Sequence, residues 1–207
     1  MSEPTAISGT PRMPQRPLRV LVGITGASGA VFALDFLRRC AGEKYLVVSN
    51  WGKALLKDEL DLRVEDLAPY VVRTFSDHDL AAPFSSGTNR YDAYVVVPCS
   101  ASTLAKISHG LADTLITRAA QVALKERMKL ILALRETPLS TAMLENALRL
   151  SRDGAILAPI MPPFYHRPKD LDELIAGYTQ KLLALVGAAT EAGWRADRLE
   201  RPSSEST

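Results

Sequence analysis

The sequence predicts a single α/β domain with a central parallel sheet that is covered by helices on both faces. Short, strand-like apolar runs alternate along the chain with segments that carry apolar residues at helical spacing. The strand-like runs are apolar at nearly every position, which is typical of strands buried on both faces. The chain has 207 residues, of which 47% are hydrophobic, and this composition suits one sizeable core.

The first half of the chain contains two predicted strands, each followed by a helix. The strand 18–24 is an apolar run that ends in a glycine-rich turn, and the helix 30–40 carries two arginines near its end. The strand 45–48 is short and apolar, and the charged segment 53–62 has the pattern of an amphipathic helix.

The second half repeats this alternation. The third strand is expected to end at Pro98, and helices are predicted on both sides of Gly110. Ser140 is the expected N-cap of a later helix, Asp170 opens the long closing helix, and a last short helical piece is expected around Trp194. The elements predicted before that piece are the strand 94–97, the helices 102–109 and 116–127, the strand 130–134, the helix 141–150, the strand 155–158 and the helix 170–185.

The two ends of the chain differ from its centre. Residues 1–17 are polar and contain four prolines, so we expect a disordered N-terminal arm. The domain is predicted over 18–195, and the polar segment 196–207 is expected to be a flexible tail. The segment 1–17 lacks the apolar stretch of a signal peptide, and no apolar run is long enough to span a membrane, so a cytoplasmic location without membrane attachment is expected.

Charge and cysteine content exclude several function classes. The 25 basic and 23 acidic residues give a net charge of +2, which is too balanced for a nucleic-acid binder that works by charge. Cys40 and Cys99 are far apart and lack the spacing of metal ligands. We therefore expect neither a disulfide scaffold nor a metal site.

Three turns rich in small and hydroxyl-bearing residues precede or follow predicted strands. The turn 23–29 lies directly before a helix, where free amides favour an anion, but it has neither the dinucleotide-binding pattern nor that of a P-loop. The segment 98–103 follows the third strand, and its hydroxyls would cap a helix, bind a phosphate, or do both. The turn 85–88 would close over a ligand or remain a solvent loop. Packing alone is the open alternative for the turn 23–29, and helix capping alone is the alternative for the segment 98–103.

Charged and aromatic side chains follow at later strand and helix ends. Arg118 and Lys125 lie two turns apart on one helix face, and this pattern also fits a solvated surface. Arg135 and Glu136 directly follow a buried strand, where active sites lie in this architecture. Glu136 would act as an acid or base if burial raised its pKa, or it would pair with an arginine. Tyr165 would donate to a phosphate or be a half-buried aromatic.

Together, these segments resemble the UbiX-type flavin prenyltransferases. The likeness runs from about residue 18 to 185, in the order found in the family, and its specificity comes from the combination of motifs. The matching segments are Gly-Ile-Thr-Gly-Ala-Ser-Gly (23–29), Pro-Cys-Ser-Ala-Ser-Thr (98–103), Leu-Lys-Glu-Arg (124–127), Arg-Glu-Thr-Pro (135–138), Met-Leu-Glu-Asn (143–146) and Phe-Tyr-His-Arg-Pro (164–168).

The resemblance implies a Rossmann-like, flavodoxin-type three-layer fold and a metal-independent prenyltransferase. It implies transfer of a dimethylallyl group from dimethylallyl monophosphate to N5 and C6 of reduced FMN. The product, prenylated FMN, would serve UbiD-type decarboxylases, and the subunits would assemble into a homododecamer.

The resemblance also implies roles for individual residues. Ser28 and Glu136 would handle protons as the catalytic pair. The residues expected to bind FMN are Gly26, Ala27, Ser28, Ser49, Ser86, Ser100, Thr103 and Arg118. Those expected to bind the prenyl donor are Lys125, Arg135, Tyr165, Lys181 and Trp194, with Lys181 standing where the family commonly has an arginine.

Two other functions remain as alternatives at this point. FMN-dependent cysteine decarboxylases have a similar loop, but they carry an asparagine where this chain has Ser102 and a histidine near the position of Phe84. A noncatalytic flavin-binding subunit of a decarboxylase would bind FMN without prenyl transfer. Such a subunit would not need the donor-phosphate residues, so the sequence favours the prenyltransferase.

Overall fold

The sheet of the computed structural model, which describes residues 16–189, consists of six parallel strands. The strands are β1 (Arg19–Ile24), β2 (Glu43–Val48), β3 (Arg73–Ser76), β4 (Ala93–Cys99), β5 (Lys129–Leu134) and β6 (Ile156–Leu157). The helices are α1 (Ala30–Arg39), α2 (Asn50–Leu60), α3 (Ala101–Ser108), α4 (Leu115–Lys125), α5 (Thr141–Arg152) and α6 (Leu171–Val186). Short 3₁₀ helices lie at Val64–Tyr70 and Pro83–Ser85.

The order of the strands across the sheet is β3-β2-β1-β4-β5-β6. The chain builds outward from β1 to β3, then returns to the other side of β1 and builds outward again to β6. Since β1 and β4 are neighbours whose following helices lie on opposite faces, a crevice opens at their carboxyl ends. Ligands bind at this kind of topological switch point in open α/β sheets.

Side-chain alternation along the strands divides the core into two clusters. Val20, Val22 and Ile24 of β1 pack with α1, α2 and α6 on one face, whereas Leu21 packs with α3, α4 and α5 on the other. Both faces of the central strands are therefore covered, as the unbroken apolar runs predict. This three-layer arrangement confirms the predicted α/β class with a parallel sheet.

Two predictions about the strands are wrong. The sequence predicts five strands, but β3 forms a sixth at the sheet edge, where only Phe75 of its four residues is buried. A strand with one buried side chain carries too little apolar signal to be recognised. In addition, β4 continues through Pro98 to Cys99 instead of ending before the proline. The pairing with β5 becomes irregular between Val96 and Cys99, because proline has no amide hydrogen to donate.

The helix predictions agree with the structure to within a few residues. Ser140 caps α5, as expected, by accepting a hydrogen bond from the Met143 amide at 3.3 Å. Asp170 likewise caps α6 through the Glu173 amide at 2.8 Å. The helical piece expected around Trp194 lies outside the described residues. Between residues 16 and 189, none of the helices combines the length and the apolar character needed to cross a membrane.

Candidate functional site

A cleft of about 570 Å³ lies at the carboxyl ends of five neighbouring strands. Each strand contributes lining residues just after it ends, so the cleft spans the topological switch point. These residues are Thr25 and Gly26 after β1, Ser49, Asn50 and Trp51 after β2, Asp77 and His78 after β3, Ser100, Ala101, Ser102 and Thr103 after β4, and Glu136 after β5. The volume is in the usual range for a small-molecule site.

Thr25 joins the ends of β1 and β4 at the base of the cleft. Its side chain is buried, and its Oγ1 donates a hydrogen bond to the Pro98 carbonyl at 2.8 Å. The same oxygen accepts a hydrogen bond from the Ser100 amide at 2.8 Å. A glycine in this position, as in a dinucleotide-binding turn, would remove both bonds. Thr25 therefore fixes the segment 98–103 relative to the first turn.

The N-termini of α2 and α3 open into the cleft. Ser49 caps α2, and its Oγ accepts a hydrogen bond from the Gly52 amide at 3.0 Å. Ser100 caps α3: its Oγ accepts from the Thr103 amide at 3.2 Å and donates to Thr103 Oγ1 at 3.0 Å. The first amides of a helix lack intrahelical partners and carry partial positive charge. The two N-termini thus suit an anionic ligand group.

The N-terminus of α1 is occupied by a carboxylate of the protein itself. Glu59 of α2 accepts hydrogen bonds from the Gly29 amide at 2.9 Å and from the Ala30 amide at 2.8 Å. The amides after the turn 23–29 thus bind an anion, as expected, but the anion at these two groups is a side chain of the protein and not a ligand. Sequence reasoning missed Glu59, because nothing in the helical pattern of α2 indicates which carboxylate reaches a neighbouring helix.

Asp77 does the same at the start of α4. Its buried carboxylate accepts a hydrogen bond from the Ile116 amide at 2.9 Å, and its carbonyl accepts from the Leu115 amide at 2.7 Å. These bonds hold α4 against the cleft. Of the helices whose first residues line the cleft, α2 and α3 therefore have the N-termini that remain open to a ligand. Recognition of β3 would have identified Asp77, since it directly follows that strand.

Close backbone packing shapes one wall of the cleft. A Cβ atom added at Gly26 would lie 2.4 Å from the Cβ of Trp51, which is far shorter than any stable contact. Gly26 therefore allows α2 to begin directly beside the first turn. The Trp51 side chain is 77% exposed at the rim and offers an aromatic surface to a ligand.

The structure brings several predicted flavin-site residues together and separates others. Gly26, Ser49, Ser100 and Thr103 line the cleft together with Glu136. Ala27 is buried beneath the turn and Ser28 is exposed on it, and neither lines the cleft.

Ser86 and Arg118 line a different cavity of about 520 Å³. The Arg118 Nε donates a hydrogen bond to the Ser85 carbonyl at 3.2 Å, which ties α4 to the turn 85–88. Ser86 Oγ lies 2.8 Å from Thr88 Oγ1 within that turn. Both side chains are exposed, so they remain accessible from outside the chain.

The predicted donor-binding residues fall into two groups. Tyr165 and Lys181 line one largely apolar groove of about 710 Å³ between β6 and α6. Lys125 and Arg135 are exposed and line neither the cleft nor this groove. Trp194 lies outside the described residues. Neither the cleft nor the groove is therefore lined by all four of the described donor residues.

The charged groups near the cleft have specific partners. Lys125 forms an ion pair with Glu126, and its ammonium holds the pKa of the Glu126 carboxyl below the usual range. Glu136 is exposed, and its Oε1 accepts a hydrogen bond from the Thr137 amide at 3.0 Å. The burial or arginine pairing considered for Glu136 from the sequence is absent from the described residues of one chain.

Two further chemical possibilities at the site are a reactive thiol at Cys99 and a bound metal ion. Burial raises the pKa of the Cys99 thiol to about 12, so this residue is protonated at neutral pH although it lies within the segment 98–103. A metal site needs a group of three or more histidine, cysteine, aspartate or glutamate side chains. Residues 16–189 contain no such group.

Comparison with known proteins identifies the family. The family model described as Flavoprotein matches residues 8–172. The flavin prenyltransferase UbiX of Thermoplasma acidophilum is 44% identical over 175 residues, which cover 84% of this chain and 97% of that protein.

Two solved structures extend this likeness to the fold. AnUbiX in complex with FMN and dimethylallyl pyrophosphate is 39% identical, with a TM-score of 0.82 over 87% of this chain and 100% of that one. A dodecameric FMN-dependent UbiX-like decarboxylase from Escherichia coli O157:H7 is 38% identical, with a TM-score of 0.82 over 86% of this chain and 100% of that one. The chain therefore belongs to the flavoprotein family, and within it to the UbiX-type flavin prenyltransferases.

Proposed function

We propose that this protein transfers a dimethylallyl group from dimethylallyl monophosphate to N5 and C6 of reduced FMN and so makes prenylated FMN. The observation that carries this proposal is the cleft itself. It combines two capped helix N-termini, a row of hydroxyls and Glu136 at the switch point of a fold whose relatives are flavin prenyltransferases. An aromatic rim and these anion-binding helix ends fit a ligand that joins a planar ring to a phosphate, as FMN does.

Reduced FMN supplies the nucleophilic ring atoms when it is bound. The residues of the chain then have three tasks: to hold the flavin, to hold the donor phosphate and to move a proton. Gly26, Ser49, Ser100 and Thr103 hold the flavin in the cleft, and Ala27, Ser28, Ser86 and Arg118 are proposed to complete this set. Glu136 and Ser28 would take up the proton that N5 of the flavin loses when it bonds to the allyl group, while the phosphate leaves with the bonding electron pair.

Lys125, Arg135, Tyr165, Lys181 and Trp194 are proposed to bind the donor. Cationic side chains stabilise the negative charge that develops on a departing phosphate. The apolar groove that contains Tyr165 and Lys181 suits the allyl group, which reacts through a cation-like state and must be kept from water.

Of the described donor residues, Tyr165 and Lys181 line the groove and Lys125 and Arg135 do not, so we propose that neighbouring copies complete the site in a homo-oligomer. A dodecamer like the Escherichia coli relative is the expected assembly. Prenylated FMN would then pass to a UbiD-type decarboxylase, and the protein would work in the cytoplasm.

Neither alternative function has support from a specific contact. Phe84, near the position where a cysteine decarboxylase has its histidine, is buried among the rings of Tyr45, Phe75 and Tyr91. Its ring serves the core and has no access to the cleft. Ser102 lines the cleft, but its hydroxyl does not replace the amide of an asparagine.

A comparison of the wild-type protein with Glu136→Gln tests the proposal and the role of this residue. Under anaerobic conditions with reduced FMN and donor, the wild type is expected to change the flavin absorbance spectrum. Glu136→Gln should bind FMN with unchanged affinity but react about 100-fold or more slowly, as general acid–base groups typically contribute. The monophosphate and the pyrophosphate are supplied in separate arms. A wild type that is inactive with both donors would contradict the function, and an unimpaired Glu136→Gln would contradict the proton role.

A further inference from the structure

The side chains that line the cleft include more acidic groups than lysine or arginine groups, although a phosphate is an anion. Two acidic side chains, Asp77 and Glu136, line the cleft. Among the described residues that line the cleft, Lys106 is the single lysine or arginine. Without its ammonium the lining would carry only negative formal charge, which would repel an anion.

The position of Lys106 suits such a role. It lies on α3, whose N-terminus opens into the same cleft. Its Nζ is 2.6 Å from Asp113 Oδ2, and Asp113 in turn accepts a hydrogen bond from Thr117 Oγ1 at 3.2 Å. The ammonium is therefore held at the cleft wall between α3 and α4, and it holds the pKa of the Asp113 carboxyl below the usual range.

The pairing with Asp113 does not neutralise Lys106 for a ligand. Both side chains are partly exposed, at 37% and 53%, and ion pairs of this kind contribute little free energy in water. An ammonium also has three donors, so it keeps the carboxylate on one and offers the others to a phosphate oxygen. The amides of Leu115 and Ile116 are already bound to Asp77, so α4 offers no comparable pair of free donors.

We propose that Lys106 binds the phosphate of FMN and thereby makes the cleft select FMN over riboflavin, the same ring system without the phosphate. This inference rests on the proposed function and adds a residue that the family resemblance does not assign. A helix N-terminus carries only a partial positive charge, and the Lys106 ammonium adds a full one.

Two flavins and three variants test this role by binding, independently of prenyl transfer. The affinities for FMN and riboflavin are measured from quenching of flavin fluorescence. Lys106→Met should weaken FMN binding about ten- to hundred-fold, the loss typical of a charge-assisted hydrogen bond, and leave riboflavin binding unchanged. Lys106→Arg should keep most of the affinity for FMN. Lys57→Met is the matched control, because Lys57 is also paired with an aspartate but lies outside the cleft.

The ionic-strength dependence adds a second readout. FMN binding to the wild type should weaken more steeply with salt than FMN binding to Lys106→Met, because screening acts on the charge that the variant lacks. Unchanged FMN affinity in Lys106→Met would overturn the role of Lys106, as would an equal loss of FMN and riboflavin binding. A wild-type protein that binds neither flavin would instead overturn the proposed function and this inference together.

Discussion

At the scale of single residues, Thr25 illustrates how a buried hydroxyl organises the cleft. The sequence shows only that Thr25 replaces the second glycine of a dinucleotide-binding turn. The structure adds that its Oγ1 bonds to both the Pro98 carbonyl and the Ser100 amide, and hence to β4. No sequence pattern could predict this, since the partners are more than 70 residues away along the chain.

Thr25→Val keeps the shape of this side chain but removes its hydroxyl. We expect the free energy of unfolding to fall by about 1–3 kcal/mol, because the Ser100 amide loses its acceptor inside the protein. Urea unfolding followed by circular dichroism measures the change. Thr25→Ser is the control and should stay close to the wild type. A valine variant as stable as the wild type would show that water or another group replaces the hydroxyl.

At the scale of elements, alternating apolar runs were sufficient to predict the helices and the buried strands. The apolar pattern failed at positions where the residue type does not follow from burial. The edge strand β3 is mostly exposed, and Pro98 lies inside β4 although proline usually ends a strand. The caps at Ser140 and Asp170 were predictable, because a capping side chain lies next to the helix it caps.

The cap of α1 differs from these, because Glu59 belongs to another helix. Glu59→Ala should lower the free energy of unfolding by about 0.5–2 kcal/mol, the usual range for losing a cap. The variant should also slow prenyl transfer, since Ser28 lies directly before the amides that Glu59 binds. Urea unfolding and single-turnover kinetics measure the two effects.

Asp58→Ala is the matched control for this prediction. Asp58 is the preceding residue of α2, is equally acidic and is exposed. Its removal should change neither stability nor rate. Equal behaviour of the two alanine variants would contradict the capping role of Glu59.

At the scale of the whole molecule, the reactivity of the two cysteines measures whether the core is closed on each face of the sheet. Cys40 belongs to the cluster on one face of the sheet and Cys99 to the cluster on the other. Burial raises the pKa of the Cys40 thiol to about 11 and that of the Cys99 thiol to about 12. Both values lie above pH 8, so both thiols are protonated there, and only the thiolate reacts.

We therefore expect the native protein to show no reactive thiol toward a disulfide reagent at pH 8. After denaturation, both thiols should react, because they become exposed and their pKa values return to the ordinary range. A thiol count by absorbance, before and after addition of guanidinium, measures this. Rapid labelling of either cysteine in the native state would contradict a core closed on that face.

The predicted site residues do not all line one cavity in the part of the chain that the structure describes. The sequence correctly indicated that the segment 98–103 and Glu136 lie at one edge of the sheet, because the carboxyl ends of parallel strands meet there. It could not indicate that Lys125 and Arg135 lie outside the groove that Tyr165 and Lys181 line, since that depends on how distant helices pack. This separation is the reason for proposing that copies of the chain complete the donor site.

The mass of the flavin after reaction tests the central claim most directly. The protein is incubated anaerobically with reduced FMN and dimethylallyl monophosphate, and the flavin is then released and analysed by mass spectrometry. The account predicts a flavin that is heavier by one five-carbon unit, formed only when protein and donor are both present. Recovery of unmodified FMN alone, from protein that demonstrably binds FMN, would contradict it.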